Sequence, residues 1–523
     1  MFSRLQSRSQ PADEYVLPPP DAAPWIRRVL GIDVRSLAVF RIAFGLILIV
    51  DLIFRASDLG VFYTDAGVLP REEYTRRPWQ FSLHLLSGSA GYQAALFAIA
   101  GLAAFAMMVG HRARLAAVVS FVLLCSLHNR NPYVLQAGDT LLRVMHLWIL
   151  FLPIGACWSI DAWRRRGGIR PIGISKSTPN LVISVASAAA LLQIASMYWF
   201  TAMLKSDPIW RQDGLAIYYA LNVDQFSTPF GLHLLNYPTL LKVLTHATFW
   251  LEVIGPILAF LPFSTAKFRM IAICAFMSFH FIGLRLTMEL GLFSYTGTAV
   301  WLLFLPREFW DRWLPEFLKR IKLGWNWLVV PSAATDGGPV RSLRWIGHCW
   351  IVGLLFIYAT AWNVRTCDFD RYAPYFPTKM NWIGYLTGAR QHWNMFAPKP
   401  MTDDGWYVFP AQQVNGNFVD LLTGEPVHYD KPELVSATYK NQRWRKYMMN
   451  LRNKRYQKNR EPIAKWMMDQ WNAEHFGEER VVGVQLIYMR ERTTADGKEK
   501  PRPIRMFEYL PFSELAAGEN PSD

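Results

Sequence analysis

Charged residues are scarce in this chain: Asp, Glu, Lys and Arg make up 18% of 523 residues, against roughly a quarter in soluble domains. That shortage excludes an ordinary soluble globule, because 52% of the residues are hydrophobic and the polar ones crowd into the last third. Cysteine is scarce too. Cys125, Cys157, Cys274, Cys349 and Cys367 form no CxxC pair, and four lie in or beside apolar runs. Neither a disulfide framework nor a zinc site is expected from them. No histidine has an HxxxH or HExxH companion, so no metal ligand set is assigned. The first 24 residues are polar and proline-rich, without the apolar core of a cleaved signal. The first span is then its own insertion signal. No repeat of solenoid period is present.

What is present is apolar length. Nine runs approach the ~20 residues that cross a bilayer: 38–54, 91–110, 113–128, 141–160, 181–204, 240–262, 268–285, 288–305 and 343–361. Twenty-two tryptophans suit a protein with two membrane interfaces to line. The net charge of +15 does not point to nucleic acid, because much of it sits in short loops between apolar runs. His111–Arg114, Arg164–Arg170, Lys267–Arg269 and Arg307–Arg344 fall in alternate loops, which sets them inside together with the N-terminus. Arg71–Arg77 is a basic counter-signal diluted by two glutamates. Nine spans place the C-terminal region outside, on the periplasmic face if the membrane is a bacterial inner membrane. The outside segments are then Phe62–Arg71, His128–Asp139, Lys205–Gly231 and Arg285–Tyr295.

The expected fold is an all-α polytopic membrane bundle of about nine transmembrane helices with a small α+β extramembrane C-terminal domain. Its parts are a polar cytoplasmic segment (1–30), the membrane domain (31–363) and the extracytoplasmic domain (364–523). In the last, Trp406–Gln413 and Phe418–Leu422 flank Asn415-Gly416, a hairpin signal. Asn441–Met468 reads as a basic, aromatic helix and Val481–Arg492 as a strand. Such a helix rests on anionic lipid headgroups, docks a partner, or presents a solvated face.

Charges inside spans are costly and are either functional or paired. Arg41 and Asp51 lie ten residues apart, roughly 15 Å along a helix, too far to pair. Asp139, Arg143 and His146 share one helical face, as do Tyr198, Thr201 and Lys205. Glu252, His246, His280 and Arg285 complete the set. Structural contact between helices is the plain alternative for each. Lys205 ends the run 181–204 and opens a polar loop with Trp210, Asp213 and Gly214. A lysine there is either an interfacial anchor or a desolvated amine fit to be a base.

Several segments together resemble one family. RIAFGLILIVDL (41–52) followed by FYTDAGVLPR (62–71) is similar to the opening of the HTTM, or horizontally transferred transmembrane, proteins, and HNRNPYVLQAGDTLLR resembles their next signature. The resemblance covers about 33–310 and takes in the vitamin K-dependent gamma-carboxylases. Lys205, Asp207, Trp210, Gly214 and Tyr218-Tyr219 match the carboxylase segment that carries its catalytic lysine. QHWNMFAPKP (Gln391–Pro400) resembles a tail of bacterial members, not the carboxylase propeptide-binding region.

The resemblance implies that Lys205 deprotonates a reduced isoprenoid quinone. Oxygen addition then yields a strong base that removes a glutamate γ-proton, and carbon dioxide traps the carbanion. Asn131 stands where the carboxylases carry an assisting histidine, and His128 is its nearest substitute. Tyr198, Trp210 and Asp139 are the implied cofactor-binding residues. The partners implied are membrane lipid and an exported or membrane protein, not nucleic acid. Two further readings stay open. One is a non-catalytic assembly or maturation factor that docks a partner through Asn441–Met468. The other is a transporter lined by Arg41, Asp51, Glu252 and the Asp139 face.

Overall fold

The computed structural model describes residues 23–72, 79–165, 181–321 and 343–509. Most of the 1–30 segment, and most of the basic stretches Arg71–Arg77 and Arg164–Arg170, lie outside the described residues. Six helices there are long and apolar enough to cross a membrane. They are α1 (Val34–Ala56), α2 (Ala90–Val109), α5 (Val185–Leu204), α6 (Pro238–Leu258), α7 (Thr265–Thr287) and α9 (Leu343–Cys367). The expected nine are not reached, and the reason is physical. The third run ends on buried His128, Asn129 and Arg130, in α3 (Ala113–Arg130). The fourth condenses to the 13-residue α4 (Ala137–Ile149), which carries Asp139, Arg143 and His146. The eighth becomes α8 (Leu292–Phe304), at 1.5 Å per residue about 20 Å long, short of a ~30 Å hydrocarbon core.

Helix α5 is the axis of the bundle. Across its apolar stretch 78% of residues are buried, against 22–44% in the other five long helices. Its sequence explains this: Ala186, Ser187, Ala189, Ala190, Ala195 and Ser196 let neighbouring backbones approach closely. Helices α4, α6 and α9 pack directly on it. A reciprocal Ser184–Ser187 capping box starts the helix, and Lys205 ends it as the C-cap residue. Asp207 then caps the short helix Pro208–Arg211 by accepting from the Ile209 amide. Gly214 completes the reversal at φ +70°; a β-carbon there would also meet His246 at 2.9 Å, so only glycine suits the turn.

The C-terminal region is built on one long strand, β4 (Val481–Thr494). Strands β1 (Asp403–Val408) and β2 (Pro410–Gln413) pair with successive stretches of it, and β5 (Arg502–Tyr509) also runs antiparallel to it. β2 forms the expected hairpin with β3 (Phe418–Asp420), with Gly416 at φ +86° in the turn. The expectation that 406–413 is one hairpin arm is corrected: the chain breaks at Phe409, whose amide donates to Asp420. The basic helix is two, α10 (Gln442–Leu451) and α11 (Arg460–Glu474), joined through a 3-10 segment. Residues before the sheet belong to the bundle rather than to this region. Trp393 is fully buried in the main membrane core, and Gln391 bonds Gln193 of α5 at 2.7 Å.

Candidate functional site

Two buried charge clusters lie at the end of the bundle that the C-terminal region covers. The first joins α1, α4 and α10. Arg55 reaches Asp51 one turn earlier at 2.7 Å and Asp139 at 2.6 Å, and donates to the Tyr63 hydroxyl at 2.7 Å. Arg443 enters from α10 and bridges Asp51 and Asp139 with its planar fork. The second Asp139 oxygen also accepts from the Gln136 amide at 2.8 Å. Two carboxylates face two guanidiniums, and every carboxylate oxygen is met, which is what allows four charges to be buried together.

The second cluster is smaller. Lys205 Nζ lies 2.7 and 2.6 Å from the two oxygens of Glu252 on α6, and 4.0 Å from the centre of the Trp210 ring. Both charged side chains are at most 5% exposed. Ala202, Ile209, Ala216 and Phe249 form the apolar wall around Trp210. The Trp210 indole donates to the Phe396 carbonyl at 3.1 Å, so the Gln391–Pro400 segment covers the lysine's aromatic partner. Behind it, the Tyr198 hydroxyl accepts from Trp301 at 2.9 Å and pairs with His280 Nε2 at 2.7 Å. His280 sits in a π-helical turn, Phe279–Leu284, and packs against Gly297.

The residues singled out from sequence therefore separate. Lys205 and Trp210 meet. Tyr198 lies on the helix that Lys205 ends, but its hydroxyl is engaged with Trp301 and His280. Asp139 belongs to the other cluster and is saturated by two arginines. His128 lies beside that cluster, 3.6 Å from Asp139 and 3.4 Å from Arg143. Asn131 donates to the Phe62 carbonyl and accepts from the Tyr133 amide, the work of a turn cap. Arg143 holds the Gly388 and Arg390 carbonyls, and His146 the Ala117 carbonyl. Arg41 donates to four backbone carbonyls, Met108, Ile154, Cys157 and Trp158. Asn131, Arg143, His146 and Arg41 are thus each engaged with backbone carbonyls.

The C-terminal region closes over the loop after Lys205. Tyr218 donates to the Thr494 carbonyl, Ser436 to the Ser227 carbonyl, and Asp224 pairs with Lys431 and Lys498 at 2.7 and 2.6 Å. Asp404 on β1 accepts from the Gln225 side chain at 2.7 Å. Burial, reinforced by the neighbouring Asp224 charge, pushes the Asp404 carboxyl up to about 6. The N-terminal turn of α10 seats on the same face. Gln442 accepts from Gln136 and from the Leu292 amide, Lys440 pairs with Asp58, and Arg445 reaches the Glu289 carbonyl. The basic helix thus directs its leading charges at its own membrane domain.

A family model, the HTTM domain, matches residues 30–310. The chain belongs to the HTTM domain family. With six apolar helices of spanning length, it is a multi-pass integral membrane protein. The matched HTTM region holds Asp51, Arg55, Asp139, Lys205 and Glu252, whereas Arg443 and Phe396 come from beyond it. No curated protein and no solved structure matches the chain.

Sequence reasoning named Glu252 but missed Arg55, Arg443 and the pairing of Glu252 with Lys205. Arg55 was findable, since it stands four residues after Asp51 on one helical face. The pairing of Glu252 with Lys205 was not, because 47 residues separate them.

Proposed function

We propose that this HTTM protein is an enzyme in which Lys205 is a base, working on the outer face of a bacterial inner membrane. The reaction is carboxylase-like and dependent on a reduced isoprenoid quinone; its substrate is an exported polypeptide or a small molecule. The observation that carries this reading is the buried Lys205 amine, held against Trp210 at the end of the most buried of the six long apolar helices. An anchor lysine extends to headgroups; this one turns inward.

Lys205 is the residue that would meet a lipid-soluble planar acid: its amine can accept a proton, and it stands beside the Trp210 ring with Ala202, Ile209 and Phe249 around that ring. Asp139 and Tyr198 do not fit the cofactor role, since their polar atoms are already engaged. A reduced quinone, when bound, supplies an acidic hydroxyl and reducing electrons. Lys205 takes the proton at Nζ. Phe396 and the C-terminal cover exclude water, which protects a strong base from quenching. The alternative of a non-catalytic maturation factor draws less support, because the docking helix is engaged intramolecularly.

In cells lacking their own copy, Lys205→Ala and Lys205→Arg are expected to lose complementation at least tenfold while the protein still reaches the membrane. Full complementation by Lys205→Ala, with loss on removing 403–523, would overturn the enzymatic reading in favour of the docking one.

A further inference from the structure

A base must release its own proton before it can take another. In water the solvent receives it. Lys205 is 2% exposed, so its proton needs an acceptor inside the protein. The Glu252 carboxylate stands 2.6 Å from Nζ and is 4% exposed. Among the described residues no third charge pairs with either partner.

Burial penalises both ions of such a pair, so the ammonium–carboxylate and amine–carboxylic acid forms lie closer in free energy than they do in water. A proton hop between Nζ and Oε2 converts one form to the other with no change in net charge. The helices hold the two atoms in register. Helix α6 packs on α5, and the Trp199 indole donates to the Val253 carbonyl at 3.2 Å, next to Glu252. An arginine at position 205 would pair equally well but would not give up a proton. A glutamine at 252 would fill the space but would not accept one.

We propose that Glu252 is the positioning residue of Lys205 and the acceptor of its proton, and this rests on the base role argued above. An Nζ–H bond breaks and an Oε2–H bond forms, leaving a neutral amine beside a carboxylic acid. The amine then accepts a proton from an acidic hydroxyl. The substrate loses one proton, Glu252 gains one, and no electron changes hands. Glu252 must shed that proton before the next turnover, so recharging of the pair belongs to the cycle.

Difference infrared spectroscopy of the full chain in lipid nanodiscs tests this, with menadiol added under anaerobic conditions as the probe. The expected result is a new carbonyl stretch of a protonated carboxyl. It shifts in D2O, disappears in Glu252→Gln and moves in frequency in Glu252→Asp. Should Glu252→Gln fail to fold, the Asp variant alone decides by that frequency shift. A menadiol spectrum without a Glu252-dependent carboxyl band overturns the proposal. If Lys205→Ala still abolishes complementation, that outcome leaves the base reading standing. If Lys205→Ala complements fully, the base reading falls with it.

Discussion

The two buried charge clusters differ in what they permit. The Asp51–Arg55–Asp139–Arg443 cluster uses planar guanidiniums, which stay charged under all ordinary conditions and present several donors in fixed directions. Each carboxylate oxygen has a partner, and three separate helices are tied by it. The Lys205–Glu252 pair uses an ammonium that can become an amine, one carboxylate and one aromatic face. The first arrangement removes freedom; the second keeps a proton free to move. Asp51, Asp139, Lys205 and Glu252 look alike in sequence, as single charges in or beside apolar runs.

Breaking the larger cluster has the greatest expected effect. Arg443→Ala leaves two buried carboxylates facing one guanidinium, and losing one partner of a buried pair costs about 3–5 kcal/mol. Thermal unfolding in detergent, followed by size-exclusion, should show a large loss. Arg443→Lys should restore little, because a point charge cannot bridge both aspartates. A variant as stable as the parent would show that the cluster does not hold the C-terminal region down.

Asp404 offers a comparison within the cover itself. Its carboxyl, pushed up to about 6, keeps in the folded state a proton that the unfolded chain has released. Its contribution is therefore complete below pH ~4, falls as pH rises to about 6 and is level above that. The fall amounts to about 3 kcal/mol. Asp404→Asn should flatten stability measured across this window. An unchanged slope would place its origin elsewhere.

The smallest effect sharpens the contrast. Lys205→Met strands Glu252, which escapes by protonation, so the cost should be about 1–3 kcal/mol. Adding Glu252→Leu should recover most of that loss, because an apolar pair replaces a buried ionic one with little penalty. Complementation should stay lost in the double variant. Recovery of both stability and function would reduce the pair to a structural tie.

Sequence displayed the bundle, the hairpin turn at Asn415-Gly416 and the long strand after 481, because each is a local pattern of period or turn chemistry. It singled out Lys205 and Trp210, five residues apart in one loop. It could not separate Asp139 from them, since the partners that saturate Asp139 come from distant positions. It counted α3, α4 and α8 as spans because apolar composition does not reveal helix length: α4 and α8 are short, and α3 ends on buried His128, Asn129 and Arg130. The role of Gln391–Pro400 as a wall of the Lys205 site was hidden because Phe396 lies 186 residues from Trp210.

The Arg443 contact also orders the protein in time. Asp139 and Arg443 are 304 residues apart, and Asp51 and Arg443 are 392 apart. A ribosome delivers the two aspartates and Arg55 to the membrane long before it reaches Arg443. Until then Asp51 and Asp139 share one guanidinium and lack the fork that bridges them. The bundle is therefore inserted first and completed last, by a residue from the far side of the chain, so a chain cut short before α10 carries its defect in the membrane and not only in the missing cover.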